Sequence, residues 1–306
     1  MTLRSLRAAA AVAVLTAAVP APAFGAGVSV AGGTLTVRDT ADVVNRISVE
    51  SFVHESDGIL VTDSGPTLLT AGGGCILWDE DILHPRGDKV FCSGQFFERI
   101  VIDAGGADDL ITYAVEFSPG TLLGGSGNDA LGAMLGEAEL RGGAGDDWLE
   151  GREGGQTLAG EAGTDTADYS GHSSDPVDVS LDGIANDGTR DFEFDNVLPS
   201  TENVLGSPGG GVLVGSAAAN RLEGGAGNDD IDGGPGVDVL LGFGGADVLR
   251  SADRRRDSRL DCGTGLDLAL ADHQDPVAKP MRPGATCESV AYVSVPALST
   301  LALSRG

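Results

Sequence analysis

The sequence predicts an all-β fold, a parallel β-solenoid built from nine-residue repeats with a small β region at its N-terminal end. Three observations carry this prediction. Glycine supplies 48 of the 306 residues, more than twice the usual share of about 7%. Ten nine-residue units keep glycine, aspartate and leucine in a fixed phase. Hydrophobic residues make up 41% of the chain, which is too many for a disordered acidic polymer.

The charge of the chain limits the partners that it can bind. Asp and Glu number 46 against 19 Lys and Arg, which gives a formal net charge of -27. Nucleic acids are recognised through clustered cations, so this balance argues against a nucleic-acid partner. The sequence contains no HExxH zinc-protease motif, no G-x-S-x-G nucleophile elbow and no P-loop. It therefore does not predict an enzyme.

Residues 1–26 resemble a secretory signal peptide. Two arginines precede an apolar run at residues 8–19, and small residues follow it, with cleavage expected after Ala23 or after Gly25. The apolar run is about 12 residues long, whereas a membrane span needs about 20. We therefore expect export and no transmembrane segment.

Residues 27–123 are predicted to form the N-terminal β region or a cap on the solenoid. Alternating stretches such as residues 34–37 and 99–102 are separated by Gly, Asp and Pro turns, a pattern typical of short strands. Residues 104–111 resemble a worn repeat and place Asp109 at the sixth position of a unit.

Regular nine-residue units fill residues 124–168 and 206–250, and a further unit at residues 262–270 extends the second run. In the ten regular units, glycine holds the first position in nine and the fourth in nine, Leu or Ile holds the eighth in nine, and Asp holds the sixth in six. Glycine permits a very tight turn, and three extended residues follow it. One aliphatic residue per unit cannot form a core alone, so stacked units must share one. We expect two units in each coil of a flattened solenoid.

This stacking creates an electrostatic problem at the sixth position. Units two apart lie one above the other, with neighbouring strands about 4.8 Å apart. Two carboxylates at that distance repel by about 1 kcal/mol in water and by more when they are partly buried. A divalent cation between the coils would remove the repulsion. Carboxylate and backbone carbonyl oxygens are the ligands that Ca²⁺ prefers.

Four units, GGSGNDALG, GGAGDDWLE, GGAGNDDID and GGPGVDVLL, resemble the RTX (haemolysin-type) calcium-binding nonapeptide repeat, GGxGxDxUx, in which U is a large aliphatic residue. The resemblance covers residues 124–168 and 206–270. It implies two β-roll blocks of a secreted calcium-binding protein of the kind found in high-GC bacteria. It also implies that the first six residues of each unit bind Ca²⁺ between coils, through the sixth Asp and the carbonyls of the turn.

Alternate units share an edge of the solenoid, which sorts the predicted ligands of the first block. Asp129, Asp147 and Asp165 belong to units one, three and five and are expected on one edge, with two calcium sites between them. The opposite edge presents Ala138 and Gln156, which supply no carboxylate. Calcium is therefore predicted along a single edge of this block.

The second block is expected to carry ligands on both edges. The unit before Cys262 contains the run Arg254–Arg256 and Ser258 at its sixth position and is expected to be a surface bulge. The predicted side-chain ligands are Asp229, Asp247 and Asp267 on one edge and, as a weaker pair, Asn220 and Asp238 on the other. The predicted carbonyl ligands of the two blocks belong to the turn glycines Gly124, Gly127, Gly142, Gly145, Gly160, Gly163, Gly224, Gly227, Gly233, Gly236, Gly242 and Gly245.

Residues 169–205 form an acidic connecting segment, and residues 271–306 are expected to close the solenoid. The acidic residues of the connecting segment are Asp182, Asp187, Asp191, Glu193 and Asp195. Their spacing is not that of an EF-hand loop, which favours a solvated loop over a further cation site.

Four cysteines fall into two local couples. An exported chain with an even number of cysteines is expected to form disulfides. Three pairings are open in principle, and the clustering favours Cys75 with Cys92 and Cys262 with Cys287. The sequence contains no Cys-x-x-Cys and its four histidines are scattered, so a zinc site is not expected.

Together these features predict a secreted protein that binds Ca²⁺ and whose β-roll folds when calcium binds outside the cell. One alternative is an extracellular structural or adhesive protein, in which calcium serves only rigidity and the N-terminal region binds a component of the cell envelope or extracellular matrix. A second alternative is a β-helix enzyme that acts on uronic-acid polymers. Typical RTX toxins leave through a C-terminal signal, so the N-terminal signal of this chain argues against cytolysis.

Overall fold

The computed structural model describes residues 24–39, 43–52, 58–65, 68–78, 89–94, 97–189, 193–277 and 287–293. Every regular element within these ranges is a β-strand, which confirms the predicted all-β class. No helix in the described ranges is long and apolar enough to cross a membrane. The predicted signal peptide lies outside the described residues except for its last three positions.

The described residues form 27 strands. The first nine are β1 (Phe24–Ala31), β2 (Thr34–Arg38), β3 (Arg46–Phe52), β4 (Gly58–Asp63), β5 (Leu68–Ala71), β6 (Cys75–Leu77), β7 (Lys89–Ser93), β8 (Arg99–Asp103) and β9 (Leu110–Ala114). The next six are β10 (Gly120–Ser126), β11 (Ala130–Leu135), β12 (Ala138–Ala144), β13 (Trp148–Glu153), β14 (Gln156–Ala162) and β15 (Thr166–Asp168). The remaining strands are β16 (Val177–Ser180), β17 (Gly188–Thr189), β18 (Asn196–Val197), β19 (Asn203–Leu205), β20 (Gly211–Val214), β21 (Arg221–Gly225), β22 (Asp229–Asp232), β23 (Val239–Phe243), β24 (Val248–Arg250), β25 (Arg259–Asp261), β26 (Leu268–Ala271) and β27 (Ser289–Tyr292).

Consecutive strands of the repeats alternate between opposite sides of the solenoid. One side is a twelve-stranded sheet, in which β3, β9, β11, β13, β15, β19, β21, β23 and β25 stack in parallel. An eight-stranded sheet and a seven-stranded sheet form the other side. Leu122, Leu140 and Leu158 pair in register across β10, β12 and β14. One coil therefore contains two nine-residue units, as the sequence predicts.

The eighth residue of each unit points into the space between the two sides. All ten of these residues are at most 1% exposed, which confirms the predicted shared core: Leu131, Leu140, Leu149, Leu158, Ala167, Leu213, Leu222, Ile231, Leu240 and Leu249. Burial of one aliphatic side chain contributes roughly 1.5–3 kcal/mol, so the column as a whole drives the coils together.

The stack of coils begins before the first regular repeat. Strands β2 and β3 pair in parallel with β8 and β9. Between β3 and β8 the chain makes an excursion whose strands β4, β6 and β7 are antiparallel, and the disulfide Cys75–Cys92 joins β6 to β7. The coils are continuous across residues 123 and 124, because β10 pairs with both β8 and β12.

The connecting segment is part of the same stack. Strand β18 pairs with β14, and β19 pairs with both β15 and β21. The twelve-stranded sheet therefore passes through both repeat blocks without interruption. On the opposite side, β18 ends the eight-stranded sheet, and β16 and β17 begin the seven-stranded one.

Candidate metal centre

The sixth residue of a unit lies where a turn ends and the next strand begins. On the edge that leads into the twelve-stranded sheet, these residues form a column that we call the long ladder. In most of its steps, a backbone N–H donates to the side-chain oxygen of the next member, as from Asp129 to Asp147 and from Asp147 to Asp165, both at 2.8 Å. In order, its members are Asn45, Asp109, Asp129, Asp147, Asp165, Glu202, Asn220, Asp238, Asp257 and Asp275.

The long ladder extends the predicted calcium edge of the first block in both directions. Before Asp129 the ladder contains Asp109, whose N–H donates to Oδ1 of Asp129 at 2.8 Å. After Asp165, the next member is Glu202, whose Oε2 accepts from the Asp165 N–H at 2.9 Å. Because β19 follows Glu202 and keeps the register into the second block, Asn220 and Asp238 lie on the same edge as the first block's aspartates.

A second column, the short ladder, occupies the opposite edge. The Asp229 N–H donates to Asp247 Oδ1 at 2.9 Å, the Asp247 N–H to Asp267 Oδ1 at 2.8 Å, and the Asp267 N–H to Glu288 Oε2 at 2.9 Å. The stronger predicted edge of the second block is thus not a continuation of the first block's aspartate edge. Gln156 lies on this opposite edge, where its N–H donates to Asp195 Oδ1 at 2.7 Å.

The unit before Cys262, expected to bulge out of the stack, contributes to the long ladder. Asp257 is 2% exposed, and its Oδ1 accepts from the Asp238 N–H at 2.9 Å. Leu260 pairs with Leu240 and follows Asp257 by three residues, whereas a regular unit places its eighth residue two after its sixth, so Ser258 is an extra residue and the sixth position falls at Asp257. A second extra residue precedes Asp257 in the segment that holds the arginine run, because Asp257 follows Asp238 by 19 residues instead of 18. Arg254 in this run has φ of 76°. Ser258, which the sequence placed at the sixth position, is exposed.

One carboxylate oxygen of every ladder aspartate except Asp275 lacks a hydrogen-bond partner. In Asp147, which is 2% exposed, Oδ1 accepts the ladder bond while Oδ2 is buried and unpartnered. A buried polar atom without a partner is costly, and a charged one more so. Among the described residues, the ladder members that share this arrangement are Asp109, Asp129, Asp147, Asp165, Asp229, Asp238, Asp247, Asp257 and Asp267.

The unpartnered oxygens face a space that only glycine leaves open. A Cβ atom on Gly142, at the first position of its unit, would collide with Oδ2 of Asp147. A Cβ on Gly124 would collide with Oδ2 of Asp129 and lie 2.6 Å from the carbonyl oxygen of Gly142 in the next coil. Carboxylate oxygens and carbonyl oxygens of successive coils therefore converge beside the first-position glycine.

Burial raises the pKa of the nine ladder aspartates that have an unpartnered oxygen. It raises the pKa of Asp147 to about 6, against the opposing effect of the hydrogen bond with the Asp129 backbone. Burial likewise raises the pKa of Asp109, Asp229 and Asp238 to about 7. The charge of each carboxylate is thus poorly compensated by the protein itself. A proton or a cation must supply the compensation.

The donor set fits a hard cation. No three His, Cys, Asp or Glu side chains converge on one point in the described part of the chain. A bound ion would therefore take part of its shell from backbone carbonyls. The available donors are all oxygens, which is the preference of Ca²⁺ and not that of Zn²⁺.

The fifth position carries an exposed ladder that the sequence analysis did not predict. The Asn128 N–H donates to Asp108 Oδ1, the Asp146 N–H to Asn128 Oδ1, and the Thr164 N–H to Asp146 Oδ1, at 2.8, 2.9 and 2.9 Å. The recurrence of Asn or Asp at the fifth position of the GGxGND units is the signal that could have predicted it. Because these side chains are exposed, they hold the turns in register but do not share the burial of the sixth position.

The acidic connecting segment is not the solvated loop that its composition favours. Asp187 is 1% exposed and Asp195 is 0% exposed. Burial raises the pKa of Asp195 to about 7 and that of Asp187 to about 6. Asp182 is exposed as expected, whereas Asp191 lies outside the described residues. The sequence signal failed because the segment folds back on itself and on the preceding coil: Asp187 accepts from the N–H groups of Ser180 and Val197, and Asp195 accepts from the N–H of Gln156.

Both predicted disulfides are present, and Cys262–Cys287 lies at the end of the short ladder. Replacing both of these cysteines by Ser should lower the stability by about 3 kcal/mol and weaken calcium binding at the predicted site of Asp267, because Cys287 holds Glu288 against the Asp267 N–H. Urea unfolding and calcium titration measure the two effects. The matched double substitution Cys75→Ser with Cys92→Ser should cost similar stability and leave calcium affinity unchanged. Equal losses of calcium affinity would contradict the role of the C-terminal disulfide.

Comparison with known families identifies the repeats. The family model of the RTX calcium-binding nonapeptide repeat matches the chain in four copies, over residues 136–167, 205–240 and 231–252. A search of curated proteins gives no match. The matched ranges contain Asp147, Asp165, Asp229, Asp238 and Asp247, five of the aspartates whose buried oxygens lack partners.

Proposed function

Because the chain carries RTX calcium-binding nonapeptide repeats in a parallel β-solenoid, we propose that it is a secreted protein whose roll folds when Ca²⁺ binds between its coils. The observation that carries the proposal is the set of nine buried aspartate oxygens without partners, each beside a turn. Extracellular calcium modules bind with dissociation constants of about 10⁻⁴–10⁻³ M. An affinity in that range would keep the acidic chain unrolled in the cytoplasm and roll it up outside.

The ligands we propose come from both ladders. A bound Ca²⁺ would supply the positive charge that the carboxylates lack and would cross-link two successive coils. The proposed side-chain ligands are Asp109, Asp129, Asp147, Asp165, Asp238 and Asp257 on the long ladder and Asp229, Asp247 and Asp267 on the short one. The carbonyls of the turn glycines, among them Gly142 and Gly242, complete the sites.

Asp147→Asn tests the ligand assignment, because its effect on stability should have opposite signs with and without calcium. An Asn side chain keeps the oxygen that accepts the Asp129 N–H and replaces the unpartnered oxygen by a neutral amide. In a chelator the variant should be as stable as the parent protein or more stable, because a buried charge without compensation is removed. In millimolar calcium it should bind fewer ions and be less stable. Isothermal titration calorimetry and thermal unfolding with and without calcium measure both effects.

Asp146→Asn is the matched control, since it removes the same charge from the next residue, which is exposed. Asn128 already makes the equivalent ladder bond with an amide oxygen at 2.9 Å, so the exchange preserves the local structure. The control should retain the parent calcium stoichiometry. If Asp147→Asn also retained it, Asp147 would not be a ligand. If calcium failed to increase strand content or stability in the parent protein, the proposed function would be wrong.

Secretion is supported by the disulfides and by the predicted signal peptide. Disulfides persist in oxidising compartments and are rare in the cytosol, and both pairs of cysteines are joined. The two predicted cleavage positions are after Ala23 and after Gly25, and N-terminal sequencing of the exported protein would distinguish them. The matched family describes a calcium-binding repeat, in agreement with a proposed role that is not enzymatic.

A further inference from the structure

The turns in the middle of the solenoid differ from those on either side. We call residues 169–189 and 193–220 the central coils, residues 104–168 the N-terminal arm and residues 221–275 the C-terminal arm. Both arms contain ladder aspartates with unpartnered buried oxygens, four in the first and five in the second. Within the described residues, no carboxylate oxygen of the central coils is buried without a partner. The central turns must therefore be closed by other groups.

Gln156 closes the turn immediately below the central coils. It is 1% exposed, and its Nε2 donates to the carbonyl of Gly136 at 2.7 Å and to that of Glu153 at 3.3 Å. Gly136 holds the fourth position of the unit one coil before that of Gln156. Gly127 holds the same place relative to Asp147. The amide N–H groups thus satisfy carbonyls of the kind that face the cation in the aspartate turns. The atom of this amide that has no partner, Oε1, is neutral.

Asn220 interrupts the long ladder by the same means. Its Oδ1 accepts from the N–H of Ser216 at 2.8 Å and from the hydroxyl of Ser216 at 3.3 Å. Its Nδ2 donates to the carbonyl of Glu202 at 3.0 Å. Every polar atom of the amide therefore has a protein partner. A first-position glycine, Gly215, faces this amide as Gly142 faces Asp147: a Cβ there would lie 2.7 Å from Asn220 Oδ1.

The two buried aspartates of the central coils are also satisfied by protein donors. Asp195 accepts from the Gln156 N–H at 2.7 Å through Oδ1 and from the Tyr169 hydroxyl at 3.0 Å through Oδ2. Asp187 accepts from the Ser180 N–H at 2.7 Å through Oδ1 and from the Val197 N–H at 2.8 Å through Oδ2. Both oxygens of each carboxylate have donors, in contrast to the aspartates of the arms.

The central coils also contribute densely to the apolar core that runs through the solenoid. Their side chains in this core are each at most 3% exposed: Tyr169, Val177, Val179, Leu181, Val197, Val204 and Leu213. A segment with a buried core and paired buried carboxylates has two properties that favour local stability.

We infer that the central coils fold without calcium, because side-chain donors in their turns take the place of the ion, and that the two arms roll up on this centre when calcium binds. The inference rests on the proposed function. It gives Gln156 and Asn220 the role of deciding which turns take no calcium. It also separates the calcium sites of the long ladder into two runs, one in each arm, with Asn220 between them.

Hydrogen–deuterium exchange of the full-length protein, followed by mass spectrometry of its peptides, tests the inference. On addition of a chelator, peptides from the aspartate turns of both arms should lose protection by about tenfold or more. Peptides from residues 169–189 and 193–220, and from the turn that Gln156 closes, should lose less than about twofold. Exchange of the central peptides together with the arms would overturn the inference and leave the proposed function standing. No change in any peptide would overturn the proposed function and the inference with it.

Gln156→Glu tests the role of the amide directly. The substitution replaces the donor to the Gly136 and Glu153 carbonyls by an oxygen, so in a chelator the peptides around residue 156 should exchange about tenfold faster than in the parent protein. Calcium should restore their protection. Gln274→Glu makes the same chemical change at an exposed position and should have no effect. If Gln156→Glu exchanged like the parent protein in the chelator, the amide would not be what closes this turn.

Discussion

In the presence of a chelator, raising the pH from 5 to 8 should unfold the two arms of the solenoid. In saturating calcium, the same change should raise the melting temperature. The opposite signs follow from the buried ladder carboxylates. Burial raises the pKa of Asp147 and Asp247 to about 6 and that of Asp229 and Asp238 to about 7. Scanning calorimetry across this pH range, with and without calcium, measures the effect.

The sign follows from linkage between protonation and folding. In the folded, calcium-free protein, the pKa of each of the nine ladder aspartates with an unpartnered oxygen lies above its unfolded value of about 3.9. The folded state therefore binds protons more tightly, and this contribution to stability is complete below the unfolded pKa. It is lost as the pH rises through about 6 to 7, where Asp147 and Asp229 titrate in the folded protein. Calcium competes with the same protons, so its contribution grows over the same range.

Two variants identify the groups responsible. Asp147→Asn removes one titrating group from the long ladder and should reduce the pH dependence measured in chelator. Asp146→Asn removes an exposed acid and should leave that dependence unchanged. A calcium-free protein that becomes more stable between pH 5 and pH 8 would contradict the assignment of buried, uncompensated carboxylates.

The core of the solenoid was predictable because the repeat fixes its register. Leu131 and Leu149 hold the same position in units two apart, and they pair across β11 and β13 in a fully buried column. The aspartates that the same period groups, Asp129, Asp147 and Asp165, occupy successive positions of one ladder. A strict period converts sequence spacing into spatial spacing, so no information beyond the sequence was required.

The register was not predictable where the period fails. The extra residue between Asp257 and β25 concealed Asp257, because a count back from Cys262 in steps of nine places the sixth position at Ser258. The edge on which the ligands of the second block lie depended on the ladder step from Asp165 to Glu202. Glu202 lies 37 residues after Asp165 and immediately precedes β19. Composition also misjudged Asp195, because its donors Gln156 and Tyr169 are far from it in sequence. Each failure concerns a contact that only the stacked coils create.

Two glycines of one turn should have separable roles. Gly145 has φ of 137°, and a Cβ there would collide with the carbonyl oxygen of Gly127. Gly145→Ala combines an unfavourable backbone conformation with a backbone clash, so it should cost about 3 kcal/mol or more whether or not calcium is present. Thermal and urea unfolding measure this loss in calcium and, at pH 5 where the arms stay folded, in chelator.

Gly142→Ala should instead weaken calcium binding more than it lowers stability in chelator. Gly142 does not have a left-handed φ, but its Cβ would collide with Oδ2 of Asp147 and lie 2.7 Å from the Cβ of Asp147, so the carboxylate must rotate and the backbone at Asp147 must shift slightly. Without calcium this adjustment should cost less than Gly145→Ala, but it moves the proposed ligand out of its site, so calorimetry should detect fewer bound ions. Gly155→Ala is the matched control, because its Cβ would lie 3.5 Å from the nearest atom, an ordinary contact. Equal destabilisation by Gly142→Ala and Gly145→Ala in chelator would mean that the first-position glycine serves the backbone and not the cation. If Gly142→Ala loses bound calcium and Gly155→Ala does not, the first position is glycine because the space beside the carboxylate must stay open.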